Sequence, residues 1–151
     1  FTLISCATNK NNSVIEPNFQ IYSFTDDLLL FSGIADSSDS SIEEAKNNGC
    51  LFIQDCIKNS LYRYISENGL DEQEELYDFI EQISFRTAKV IYDKFQINKS
   101  EQIKKTEWIS QIKILKTEIK ESFWKIFSED TSFEASAFSE FNLENFFLSE
   151  K

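Results

Sequence analysis

The pattern of apolar and polar positions divides the chain into a polar opening, a run of alternating elements and an aromatic tail. Residues 7 to 18 are rich in Asn, Ser and Lys and end at Pro17 with no apolar period, which predicts a tether. From Phe19 to Ala35 the composition shifts to Phe19, Ile21, Tyr22 and Phe24, then Leu28 to Phe31 and Ile34, interrupted by Thr25-Asp26-Asp27. This predicts a β-hairpin or two strands joined by a short turn, with Gly33 marking a bulge or a close backbone approach. Asp36 to Ser41 reads as a loop, and Ser40 with Glu43 or Ser41 with Glu44 has the spacing of a capping box that opens a helix.

That helix carries the strongest signal. Ile42, Ala45, Gly49, Phe52, Ile53, Cys56, Ile57, Ser60, Leu61, Tyr64 and Ile65 recur at intervals of three and four and form one continuous stripe, and Asn68-Gly69 supplies a left-handed stop. The small residues Ala45, Gly49 and Ser60 on the stripe predict close approach to a sheet. Asp71 to about Thr87 predicts a second helix, with acids in its first turn and Leu76, Phe79, Ile80 and Ile83 on one side. Lys89 to Ile97 and Glu107 to Ile114 alternate as strands, with Asn98 to Thr106 as a polar hairpin loop between them. Lys116 to Ser128 predicts a third helix with Ile119, Phe123, Ile126 and Phe127 inward. The fold class expected is α+β, a long amphipathic helix and two shorter helices packed on a small antiparallel sheet. The organisation expected is a segment 1–6, a tether 7–18, a domain 19–128 and a Phe-rich acidic segment 129–151.

In that last segment Phe133, Phe138, Phe141, Phe146 and Phe147 stand among Ser, Glu and Asn without Gly or Pro. A surface of this kind is not left uncovered. Either the segment folds back over the domain, or these phenylalanines form a docking site for another protein.

Composition narrows the chemistry. With 151 residues, 41% apolar content and fifteen Phe, the chain can bury a core as one domain, and no apolar run approaches the roughly eighteen residues of a membrane span. There is no histidine, which removes the commonest general base and zinc ligand, and three glycines leave no phosphate-cradling loop. Carboxylates cluster at Asp26-Asp27 and from Asp71 to Asp78. A paired-acid hydrolase needs two of them facing each other across a cleft, whereas an acidic helix start in solvent accounts for the second cluster without chemistry. Asp36 to Asp39 lacks the looped ligand pattern of a calcium site. No enzyme activity, metal or cofactor is expected. Cys50 and Cys56, six residues apart, point to different faces of a helix and cannot bridge each other there; both read as core residues, with a disulfide as the alternative.

The net charge of −11 is uneven: residues 1–85 carry four basic and fifteen acidic side chains, 86–125 ten and five, and 126–151 one and six. Overall acidity argues against nucleic acid as a partner. The basic segment reads as a solvated face paired with acidic helices, or as a surface for an anionic partner.

The opening residues then acquire meaning. Phe1-Thr2-Leu3-Ile4-Ser5-Cys6 is an apolar run ending in a small residue and a cysteine, followed by the polar tether, and looks like the lipobox of a bacterial lipoprotein. Cys6 would be the lipidated residue and the new N-terminus, because sulfur takes the lipid and a small Ser5 admits the scissile bond to the peptidase. An ordinary first strand with a buried Cys is the other reading. The absence of Met from the chain leads us to expect a removed segment before Phe1.

The order of elements resembles a known family. Phe31-Ser32-Gly33-Ile34-Ala35, a Ser/Asp loop, and the helix opening Ile42 to Ala45 are similar to the start of the LPP-twenty-type lipoproteins and of the N-terminal domain of flagellar assembly protein T. Thr87 to Phe95, then Glu107 to Ile114 running into Lys116 to Ile119, is similar to that family's hairpin leading into its last helix; the resemblance covers residues 28–127. It implies a non-enzymatic role at the cell envelope, in outer-membrane or flagellar structures, and carries no catalytic residues. Together these readings predict a lipoprotein facing the periplasm or cell surface that acts in adhesion, scaffolding or assembly. Its expected partners are other envelope proteins, the membrane through its anchor, and further copies of itself as a homo-oligomer. The alternative is a soluble adaptor that docks a larger complex through its Phe-rich segment.

Overall fold

The computed structural model describes residues 22–24 and 28–143, and these form the α+β arrangement expected from the pattern. The elements in chain order are β1 (Tyr22–Phe24), β2 (Leu28–Ala35), α1 (Ser38–Glu67), α2 (Glu74–Tyr92), β3 (Gln96–Lys104), β4 (Glu107–Leu115), α3 (Lys116–Ser128) and α4 (Phe133–Ser136). Among the described residues the strands make a four-stranded antiparallel sheet in the order β1-β2-β4-β3. The long central strands β2 and β4 pair from Leu28 with Leu115 to Ala35 with Trp108.

Helix α1 lies on the face of the sheet that carries Leu29, Phe31, Ile112 and Ile114, all buried. Its stripe is buried from Ser41 through Ala45, Gly49, Ile53, Ile57 and Leu61 to Ile65. Two glycines set the approach. A Cβ on Gly33 would stand 2.3 Å from the backbone nitrogen of Ala45 and 2.6 Å from the Ser41 carbonyl oxygen, so strand and helix backbones touch there. On the helix side, Gly49 leaves room for the rings of Phe31 and Phe95, whose centroids are 5.9 Å apart at 78°. Asn48 Nδ2 donates to the Ser32 carbonyl at 2.8 Å and fixes the rotation of α1 on the sheet.

The start of α1 differs from the capping-box expectation. Ser37 is the N-cap, its Oγ accepting from the Ser40 N–H at 3.1 Å, and the helix begins ahead of either proposed cap. The stop is as expected. Gly69 takes φ of 68°, Leu70 N–H donates to the Ile65 carbonyl at 2.8 Å and Gly69 N–H to Ser66 at 3.3 Å, the paired bonds of a Schellman-type stop.

Helix α2 packs on α1, and α3 on α2. The expected strand over Lys89 to Ile97 is corrected: α2 continues to Tyr92, and only Gln96 and Ile97 of that stretch are strand. Buried Ile80, Ile83, Ser84, Thr87, Ala88 and Ile91 continue one helical face, which outweighs the short alternation at Val90 and Tyr92. The expected loop from Asn98 to Thr106 is corrected as well, because most of it is strand β3, leaving Lys105-Thr106 as the turn. Helix α3 has the expected bounds.

Candidate interaction surface

Strand β3 is an edge of the sheet among the described residues, and seven of its nine residues are exposed. A chain of hydroxyls attaches it to the fold. Ser100 Oγ lies 2.7 Å from Ser110 Oγ on β4 and 3.1 Å from Ser38 Oγ at the start of α1, and Ser110 Oγ lies 2.6 Å from Ser41 Oγ, which also donates to the Ser38 carbonyl at 2.8 Å. Ser41 and Ser110 are fully buried, and each hydroxyl serves the next, so the desolvation of a polar group beside Gly33 is met by hydrogen bonds. On the opposite face of the sheet Asn98 Nδ2 donates to Gln111 Oε1 at 2.7 Å. The register between β3 and β4 shifts twice, between Ile97 and Lys99 and between Gln102 and Lys104, so that Asn98 and Ile103 bulge from the ladder. Ile97 is 55% exposed.

The C-terminal segment divides into a buried and an exposed part. Asp130 closes the end of α3: its carboxylate accepts from Ser132 N–H at 2.9 Å and meets Arg86 of α2 at 3.5 Å, and these hydrogen bonds and then the guanidinium hold it below the usual carboxylate range. Ser132 caps α4, and the chain then turns inward. Phe138 is fully buried, stacked on Phe79 at 5.4 Å and 19° and against Tyr64 at 5.5 Å. Phe141 sits edge-on to Tyr64 and against Phe123 and Trp124, and Leu143 is fully buried behind them.

Of the five phenylalanines expected to bind a partner, Phe138 and Phe141 therefore belong to this chain's own core. Their burial against α1, α2 and α3 leaves no face to present. Phe133 is 76% exposed at the start of α4. Phe146, Phe147 and the expected lipidation site Cys6 lie outside the described residues. Phe85 of α2 is half exposed, with Lys89 Nζ over its ring at 5.4 Å.

The remaining chemistry is muted. Cys56 is buried as expected, whereas Cys50 is only partly so, because its position on α1 faces α2 at the margin of the core; both carry thiols. Cys50 Sγ donates to the Ala88 carbonyl at 3.3 Å, and burial, with the charge of Asp93 adding to it, pushes its pKa up to about 12, which suits a weak donor rather than a nucleophile. Tyr62 Oη donates to Glu81 Oε2 at 2.5 Å, and Lys58 meets the same oxygen at 3.4 Å. Desolvation and this bond raise Tyr62 to about 12, and the same bond holds Glu81 low. The trio ties α1 to α2 at the surface. Among the described residues no group of three or more Cys, Asp or Glu could hold a metal ion. No helix among them is long and apolar enough to cross a membrane.

No family model, curated protein or solved structure matches the chain. The residues that sequence reasoning missed are the hydroxyl chain and the β3 edge. No apolar alternation marks β3, because seven of its nine residues are exposed.

Proposed function

We propose that this chain is a non-enzymatic lipoprotein of the bacterial cell envelope, held to a membrane by lipid on Cys6 and working through contacts with other proteins in adhesion, scaffolding or assembly. The observation that carries this reading is Leu3-Ile4-Ser5-Cys6 followed by a polar tether, because acylation of Cys6 with more than one chain supplies stable anchoring. The protein-contact role draws on the exposed edge of β3 and on Phe133 and Phe85 at the surface. The resemblance to the LPP-twenty-type lipoproteins agrees with it, through the strand Phe31 to Ala35, the helix opening at Ile42 and the passage of β4 into α3; the Thr87 to Phe95 part of that resemblance falls mainly on helix α2.

Docking through the Phe-rich segment, the adaptor reading, retains only Phe133 among the described residues. The test is fractionation of cells expressing the full precursor with and without Cys6→Ser. The variant is expected to leave the membrane fraction; an unchanged membrane fraction would overturn the anchor.

A further inference from the structure

We infer that the face of the sheet turned away from α1 is a docking surface for this chain's own segment 14–21, which crosses β2 and β4 and sets Val14 and Ile15 against Ile34 and Ile109. Of the described helices α1 is the one that lies along the sheet, on the face of Phe31, Gly33, Ser110 and Ile112. The alternate residues Ser32, Ile34, Ile109 and Gln111 point the other way, where no described element lies. They are nonetheless shielded from water: Ile109 is 2% exposed, Ser32 6% and Gln111 7%. Ile109 also stands outside the core cluster around α1. Its lateral neighbours are Ile34 on β2, 36% exposed, and Glu101 on β3, exposed as well, so neither closes over it. A side chain on a central strand with open neighbours stays dry only beneath a cover.

Reach decides which part of the chain supplies the cover. Tyr22 pairs with Phe31 on the α1 face, so the same register carried back one residue sets Ile21 beside Ser32 on the second face. From there Ile109 is two strand spacings across and two residues along, about 12 Å, and the seven residues back to Val14 span up to about 24 Å. Pro17 has no N–H with which to extend a ladder, which suits a chain leaving the sheet edge. Burial on this face falls off away from that entry: Leu28, Leu30 and Lys113 are half-buried, and Leu115 is exposed. The C-terminal segment falls short. Ser41 of α1 meets Ser110, whereas Phe138 and Phe141 pack on Tyr64, about 35 Å further along the helix, and the eight residues after Leu143 span at most about 28 Å. Residues 7–13 then remain as the spacer behind Cys6, so under the anchor reading this face is the side held toward the membrane. The packing itself does not depend on lipid.

The test is methyl nuclear magnetic resonance on the full chain carrying Cys6→Ser, so that no lipid enters the sample, with isoleucine and valine methyls labelled. Val14 and Val90 are the two valines of the chain, and the variants Val14→Ala, Ile15→Val and Ile109→Val assign the signals needed. Nuclear Overhauser contacts from the Ile109 δ1 methyl to the methyls of Val14 or Ile15 are expected. Val14→Asp combined with Ile15→Asp should shift the Ile34 and Ile109 signals and leave those of Ile57 and Ile80, in the core around α1, in place. Phe146→Asp combined with Phe147→Asp should leave Ile109 unmoved. An Ile109 methyl without contact to segment 14–21, or one that responds to the tail variant instead, would overturn the inference. Contacts seen only between labelled and unlabelled chains in a mixture would give the face to a second copy and overturn it equally. Because the fractionation experiment reads only Cys6, failure of the anchor and failure of this packing are separate results.

Discussion

Truncating Phe138 to Ala separates a packed tail from a docking tail. The ring is fully buried and touches Phe79 and Tyr64 at centroid distances of 5.4 and 5.5 Å, so its removal opens a cavity between α1, α2 and the C-terminal segment. Core Phe→Ala changes cost about 3–5 kcal/mol, and two aromatic partners each add about 0.5–1.5 kcal/mol beyond area, which places this site near the top of that range. Against a total stability of about 5–15 kcal/mol the loss is a large fraction. Phe133→Ala, at a side chain 76% exposed, should stay within about 0.5 kcal/mol of the parent. Urea unfolding followed by tryptophan fluorescence reads both, since Trp124 lies 6.4 Å from Phe141 and 5.5 Å from Phe127 and senses the same cluster. A Phe138→Ala loss below about 1 kcal/mol, or one equal to that of Phe133→Ala, would refute the packing of this segment.

Three further outcomes follow from the same contacts. Gly33→Ala must push the β2 and α1 backbones apart, and urea denaturation should show a loss at or above about 3 kcal/mol; a loss below about 1 kcal/mol would mean the two backbones are not in contact. Ser84→Ala removes a fully buried hydroxyl with no partner among the described residues and should raise the midpoint of thermal unfolding, with a gain of about 1 kcal/mol in stability; a lowered midpoint would show that the hydroxyl is bonded. Cys50 should react with iodoacetamide far more slowly at pH 8 than after unfolding, and its raised pKa predicts a stability contribution fully present below pH 9 and lost as pH rises from there toward 12, since the unfolded thiol ionises first. Equal alkylation rates for folded and unfolded protein would contradict the burial.

Much of the fold was legible because its periods are long. The α1 stripe extends over about seven turns with small residues where the sheet approaches, and β4 sets Ser110, Ile112 and Ile114 toward α1, although Ile109 and Gln111 of its other face are buried as well. Gly33 was legible as a punctuation mark, and the contact with Ala45 is the reason. The end of α2 misled because Val90 and Tyr92 alternate at the surface while Ile91 alone turns inward, a helical detail too short to dominate a local pattern. Strand β3 was invisible for a different reason. An edge strand wet along its length has no apolar side to repeat, so its polar residues read as loop. The tail held its alternatives open because Phe138, Phe141 and Leu143 follow a short helix and then irregular chain, and no single period describes how they wedge against Tyr64 and Phe79.

Anchoring through Cys6 is read out by intact-mass spectrometry of the chain extracted from membranes. The expected mass is that of a chain beginning at Cys6 and carrying thioether-linked diacylglycerol, with peptide fragmentation placing the lipid on that residue. Recovery of a chain that retains Phe1 to Ser5 with an unmodified Cys6 thiol would contradict the account.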